Sequence, residues 1–238
     1  MATKSISAWR TEVEYYVKGP DSALVDWAVL EALRDFCYHT GLWRYTLTPI
    51  DIEGDTAEYA FADIETDGGK NVLDSIIWAK YKEDDADDDQ FSDLELLEFD
   101  SEELRRRGAW EFQESTSPSG IMVTPAKLFR LYPIPTESST GGLYIKVQVK
   151  PATDATTVPL FFFDDYHKGI THGAVSNLQN MTNKPWTEKE HAKDNWNQYR
   201  AVRENAKSDR QHGRAARTLR VRPRFWAGSR SNSTDRRF

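Results

Sequence analysis

The stretch "VPLFFFDDYHKGITHGAVSNLQNM", residues 158–181, decides how the chain folds. Within it Phe162, Tyr166, Ile170, Ala174, Leu178 and Met181 recur every three or four residues, the spacing of a helix that buries one face. Gly169 and Gly173 lie one turn apart on that helix. Glycines so placed weaken an isolated helix but let another backbone approach closely, so they predict a packing notch. A second long helix follows in "KPWTEKEHAKDNWNQYRAVRENAKSDRQHG", residues 184–213. Thr187 and Glu190 stand at capping-box spacing, and Ala192, Trp196, Tyr199, Val202 and Ala206 share one face.

Two further helices are predicted at the start of the chain. "SISAWRTEVEYYVKG" is capped by Ser5 and stopped by Gly19, with Trp9, Val13 and Tyr16 on one face. In "ALVDWAVLEALRDFCYHTG" a stripe of Val25, Ala28, Ala32 and Phe36 is broadened by Leu30, Leu33 and Cys37. Glu31, Arg34 and Asp35 mark its polar side, and Gly41 suits the left-handed position after the last turn.

Between the helical pairs the period changes. "YTLTPIDIEG", "AEYAF", "NVLDSIIWAKY", "AKLFRLYPIP" and "GGLYIKVQVK" are short, rich in β-branched and aromatic residues, and separated by Gly, Pro, Asp and Ser clusters. In the last, Leu143, Ile145, Val147 and Val149 alternate with Tyr144, Lys146, Gln148 and Lys150, as in a strand with one buried face. A short helix or loop is expected around "DSEELRRRGAW", with Asp100 or Ser101 as cap, and the glycine pairs at Gly68 and Gly141 suit turns.

The pattern predicts an α+β fold: a helical bundle built from N- and C-terminal helices, an inserted antiparallel β module, and an extended basic C-terminal arm. The boundaries expected are 1–43 for the first helices, 44–158 for the β module with its acidic loop, 159–212 for the later helices and 213–238 for the arm.

Composition limits the function. Hydrophobic residues make up 39% of the 238, enough to offset chain entropy over the bulk of the chain. No run approaches the roughly 18 apolar residues of a membrane span, and the first residues lack the apolar core of a signal peptide. The reading is a cytosolic product with no membrane partner. The single cysteine, Cys37, is expected to be a buried, inert thiol.

Little in the sequence points to catalysis. "DDYHKGITH" gathers Asp164, Asp165, His167 and His172, but the histidines are five apart and diverge around a helix, whereas ligands sharing a face need spacing of three or four. Asp164 with His167 or Lys168 has the right spacing. The preferred reading is nonetheless macrodipole-complementing carboxylates beside packing or surface histidines. "KEDDADDDQ" lacks the glycine and terminal glutamate of a calcium loop. There is no phosphate loop, GxSxG elbow or CxxC pair. The expectation is a protein that is not an enzyme and has no catalytic, cofactor-binding or metal site.

The remaining signal is charge. The chain carries a formal −7, with a strongly acidic stretch after Lys82, yet "RAARTLRVRPRFWAGSRSNSTDRRF" holds eight arginines and one aspartate. Three readings compete for this end: a solvated terminus, a nucleic-acid arm in which arginines neutralise phosphates while Phe225 and Trp226 stack, and a docking arm. Alternation of Leu219 and Val221 with Arg220 and Arg222 favours docking, since phosphate neutralisation needs no apolar residues.

Three stretches, in order, carry a resemblance: "ALRDFCYHTGLWRYTLTPIDIEGDTAEYAF", the segment from "LFRLYPIPTESSTGGLYIKVQVK" through "NMTNKPW", and "RTLRVRPRFW". Their organisation resembles that of head-to-tail adaptor (connector) proteins of tailed bacteriophages, of the kind that dock below the portal in short-tailed viruses. The resemblance implies a structural virion protein of the neck, assembled in the host cytoplasm. It implies a ring, commonly of twelve copies, that joins the portal protein to the tail or nozzle protein. Such a ring leaves a channel for double-stranded DNA during packaging, retention and ejection, without sequence-specific binding. Carried onto this chain, it assigns portal contact to Arg217, Leu219, Arg220, Val221, Arg222, Phe225 and Trp226. The alternatives are a DNA-binding protein that uses the basic tail and a neck-associated cell-wall hydrolase, for which no residue here speaks.

Overall fold

The structure is a computed structural model that describes residues 2–60, 70–83, 91–106, 110–126 and 128–212. A strand, β1 (Thr3–Ser5), and a 3-10 turn (Ile6–Trp9) lead into α1 (Arg10–Tyr16) and α2 (Ser22–Thr40). The middle contains β2 (Arg44–Thr46), β3 (Ile50–Ile52), β4 (Glu58–Ala60), β5 (Asn71–Tyr81), β6 (Ser92–Leu96), α3 (Glu102–Arg106) and β7 (Glu114–Ser115). It continues with β8 (Gly120–Val123), β9 (Leu128–Tyr132), β10 (Ile134–Pro135), β11 (Ser139–Pro151) and β12 (Thr157–Pro159). Then come α4 (Leu160–Gln179) and α5 (Lys189–His212). The class is α+β.

α4 is the helix the opening stretch predicts. Phe162, Tyr166, Ile170, Ala174 and Leu178 are buried, and Met181 packs partly buried just beyond its end. The glycine notch is real: a Cβ added to Gly169 would lie 2.6 Å from Val202 Cγ1, and one on Gly173 would lie 2.9 Å from Tyr199 Cδ2 and 3.0 Å from Ala32 Cβ. Two neighbouring helices therefore close on α4 at less than the distance a larger residue allows. Pairing of 169 with 202, 173 with 199 and 176 with 192 sets α4 antiparallel to α5. The sequence of contacts Ala32 to Tyr199, Asp35 to Arg203 and Gly41 to Arg210 sets α2 parallel to α5. The rings of Phe162, Tyr166 and Tyr199 surround Phe36 at 5.2–6.3 Å between centroids and join all three helices. Such ring pairs add about 0.5–1.5 kcal/mol each beyond their burial.

Local chemistry explains the ends of α2. The Asp21 carboxylate accepts from Leu24 N at 2.7 Å, which satisfies one of the free N–H groups of the first turn. Gly41 takes φ 58° and donates its N–H to Cys37 O, so the expected left-handed cap is present. α1 is shorter than predicted. Ser5 caps the 3-10 turn, and α1 ends at Tyr16, before Gly19, leaving Tyr16 47% exposed while Trp9 and Val13 are buried. Thr187 does not form the predicted capping box. Its hydroxyl donates to Met181 O at 2.5 Å and accepts from Lys184 N at 3.1 Å, so it closes the connecting turn, and α5 starts two residues later.

The main sheet among the described residues runs β2-β11-β5-β6-β8-β9-β4, with β3 also paired to β11. β11 buries Leu143, Ile145, Val147 and Val149 as its alternation predicts. Gly141 lies inside this strand at φ 60°, where the register against β3 shifts, so the glycine pair makes a bulge instead of a hairpin turn. The sheet is mixed, not purely antiparallel: β6 pairs parallel with β8, and the short β10 pairs parallel with β7. Outside the main sheet, β1 pairs antiparallel with β12 and so ties the start of the chain to the entry of α4. Ser101 caps α3, its hydroxyl accepting from Leu104 N at 3.4 Å. One continuous cluster of buried side chains links α1, α2 and α4 with β5 and β11, and a smaller one gathers Leu104, Trp110, Met122 and Tyr132.

Candidate functional site

Arg217, Leu219, Arg220, Val221, Arg222, Phe225 and Trp226 all lie outside the described residues, as do Gly68 and most of the acidic run after Lys82. The body that precedes the C-terminal residues in sequence is described. α5 brings Arg210 alongside Gly41, where an added Cβ would meet the Arg210 guanidinium at 2.4 Å and Gln148 Oε1 at 2.3 Å. Arg44 donates from Nε to Gly41 O at 2.8 Å. Its pKa is lowered, first by burial and then by the charge of Arg210. Arg44 and Arg210 thus lie close together near the last described turns of α5. Beneath them Gln148 Nε2 donates to Asp74 at 2.8 Å and to the carbonyls of Cys37 and Tyr38, while Lys150 pairs with Asp74 at 2.9 Å. These bonds pin the C-terminal end of α2 to β11.

Further up, α2 and α5 are held together by Asp35. Its carboxylate accepts from Tyr199 at 2.6 Å and from Arg203 at 3.0 Å, and His39 lies 3.3 Å away. Tyr199 also contacts Ala32 O at 3.0 Å. Burial first, and then Asp35, push the Tyr199 hydroxyl well above the usual phenol range, so it stays a donor. The sequence reading placed Asp35 on the polar side and Tyr199 on the apolar face. Only the parallel packing of α2 and α5 brings them together, although the Tyr199–Arg203 spacing of one turn was a visible hint.

Above this pair opens a groove of about 410 Å³ between α2, α4 and α5. Trp27 and Trp196 flank it at 47% and 37% exposure, so Trp196 sits at the margin of its helix's apolar face and not within it. Met181 and Tyr199 lie deeper, and the charged groups lining it are the carboxylates of Glu31 and Asp35. A second groove, of about 540 Å³, lies between α1, α4 and α5 and mixes Glu12, Glu188 and Asp194 with Lys168, His172 and His191.

The histidines of "DDYHKGITH" are occupied locally. His167 stacks on Phe163 with Glu12 at 3.8 Å, and His172 Nδ1 contacts Asn195 Oδ1 at 2.8 Å. Asp164 and Asp165 point outward in the second turn of α4. Among the described residues no group of three or more His, Cys, Asp or Glu side chains is placed to hold a metal ion. Cys37 is fully buried, and desolvation followed by the Asp74 charge pushes its thiol far up, as an inert cysteine requires. Among the described residues no helix is long and apolar enough to cross a membrane.

A packed helical face with aromatic-edged grooves, in an α+β fold, is suited to contact with other surfaces. The chain belongs to the SU10 adaptor protein family, whose model matches residues 6–224. That span covers Arg217, Leu219, Arg220, Val221 and Arg222 and stops just short of Phe225 and Trp226. Membership agrees with the head-to-tail adaptor resemblance and makes this a bacteriophage structural protein of the virion neck. A search of curated proteins finds no match.

Proposed function

We propose that the chain is a head-to-tail adaptor that assembles as a ring, of about twelve copies by analogy with similar adaptors, between the portal and the tail or nozzle. The observation that carries this reading is the charge division within one chain. Residues 213–238 carry eight arginines against one aspartate, so with −7 overall the remainder holds a formal −14. An acidic body around a conduit repels DNA phosphates and lets the genome slide, while a basic arm binds an acidic neighbour through charge-assisted hydrogen bonds. In this reading residues 1–43 and 159–212 form the helical bundle of the ring, residues 44–158 form a β module facing outward or toward the tail, and 213–238 are the portal arm. Arg217, Leu219, Arg220, Val221 and Arg222 dock, and Phe225 and Trp226 anchor in pockets.

The test is portal binding by the full chain and by a chain ending at Gly213. The adaptor reading expects the truncated chain to stay folded and unfold cooperatively yet lose portal binding; undiminished binding would count against it. A second reading, in which the tail binds DNA, is favoured by the same arginines, joined by Arg44 and Arg210 at the exit. It expects DNA affinity that falls steeply with salt and disappears on charge reversal of Arg217, Arg220 and Arg222. No DNA binding at low salt rules it out.

A further inference from the structure

We propose that the groove between α2, α4 and α5 is the resting seat of the chain's own C-terminal segment, occupied by Phe225 and Trp226 before the arm meets the portal. This rests on the arm reading above and adds where the arm lies when no partner is present.

Four observations carry it. First, Trp27 and Trp196 flank the groove at 47% and 37% exposure, an aromatic pair of the kind that dominates binding energy at interfaces. Second, the charged side chains lining it, Glu31 and Asp35, are both carboxylates, whereas the larger groove beside α1 also presents Lys168 and two histidines. An occupant with aromatic side chains set among arginines matches the first groove and not the second.

Third, the C-terminal segment has that composition. "RVRPRFW", residues 220–226, places three arginines ahead of Phe225 and Trp226. Arginine can join Glu31 at the rim, where the nearest basic group is Arg34 at 3.8 Å, and can lie over an indole face, as Arg203, already paired with Asp35, does at 5.7 Å from the Trp196 ring. Fourth, the length suffices. α2 and α5 run parallel, so the segment departs near Gly41 and must turn back along α5. From His212 to Trp196 is 16 residues of helix, about 24 Å at 1.5 Å per residue. The twelve residue steps from Gly213 to Phe225 span up to roughly 40 Å when extended. Gly213, directly after the helix, is the residue type that lets a chain reverse there.

Seated this way, the aromatic anchors are hidden from other copies, and the portal must displace them. Assembly is thereby confined to the place where a portal competes for the arm.

The full chain can report this directly. Cys37 is buried, so Ser229→Cys adds the one reactive thiol for a nitroxide label. In the isotopically labelled chain, the indole N–H signals of Trp27 and Trp196 are expected to lose most of their intensity through the nearby radical, while Trp110, in the separate cluster with Leu104, Met122 and Tyr132, keeps its own. The loss should reverse when Phe225→Ala and Trp226→Ala are combined. Unchanged Trp27 and Trp196 signals overturn the proposal. So does broadening seen only when spin-labelled and isotope-labelled chains are mixed, because the occupant is then a neighbouring copy's arm. Trp27→Ala with Trp196→Ala should free the arm without loss of portal binding, whereas truncation at Gly213 tests the portal role separately.

Discussion

Gly169→Ala tests whether the α4–α5 contact is as tight as its glycines imply. The substitution favours the helix itself by about 1 kcal/mol, since alanine is the better helix former. Against that, the new methyl would lie 2.6 Å from Val202 Cγ1 and 2.8 Å from Val202 Cβ. Rotation of the valine relieves the first contact but not the second, because Cβ is fixed to the α5 backbone. Carbon atoms rest at about 3.5–4.0 Å, so the helices must part by roughly 0.7–1 Å. Because the obstacle is a fixed Cβ, the cost falls in the upper part of the usual range of about 1–3 kcal/mol for overpacking, about 2–3 kcal/mol, and the net expected loss is about 1–2 kcal/mol. For a chain of this size that lowers Tm by about 2–8 °C. Urea unfolding followed by tryptophan fluorescence should show a lower midpoint with an unchanged slope. Equal or higher stability in Gly169→Ala would refute the notch argument, because it would mean that helix propensity and not close approach governs this position.

Gly173→Ala should cost somewhat less than Gly169→Ala, since its fixed obstacle, Ala32 Cβ, lies 3.0 Å away against 2.8 Å for Val202 Cβ; the same urea titration compares them. Gly41→Ala should destabilise by about 1–2 kcal/mol, through the positive φ that alanine resists and through collision with Gln148 and Arg210, read again as a shift in midpoint. Alkaline pH should destabilise the fold. Cys37 and Tyr199 have raised pKa values when folded, so the unfolded chain loses protons first. Their contribution is complete below the unfolded values, about 8.5 and 10, and declines above them by about 1.4 kcal/mol per pH unit for each group. Cys37→Ala should flatten the decline that begins near the thiol value, and Tyr199→Phe the part above the phenol value. Tyr199→Phe should also cost about 1.5–3 kcal/mol at neutral pH, by removing the donor to Asp35. Thermal scans between neutral and alkaline pH separate the two.

What the sequence revealed follows from how local each signal is. α2 and α4 could be read because burial repeats every three or four residues over five turns, and Gly41 could be read because one backbone conformation demands it. The buried positions of β11 were equally plain, since alternation is intrinsic to a strand. β6 was not visible: in "SDLEL" Leu94 is the only buried residue, and the acidic surroundings read as loop. β8 and its parallel contact with β6 depend on partners distant in sequence, as does the pairing of β1 with β12. Thr187 satisfied a spacing rule but found a nearer acceptor in Met181 O. Trp27 and Trp196 stand on different helices far apart in the chain, and only the packing of α2 beside α5 makes them one groove. The alternating apolar and basic composition of residues 213–238 needs no tertiary contact to be noticed, and these residues lie outside the described ones.

The account rests on the arm joining an acidic body to a portal, and the mass of the complex measures this most directly. The full chain, mixed with its portal at moderate salt, is expected to form a complex whose mass fits a ring of adaptor copies on the portal. The same chain alone should remain small, and the chain ending at Gly213 should fail to join. Ring assembly by the truncated chain, or a full chain that ignores the portal while folding normally, would contradict it.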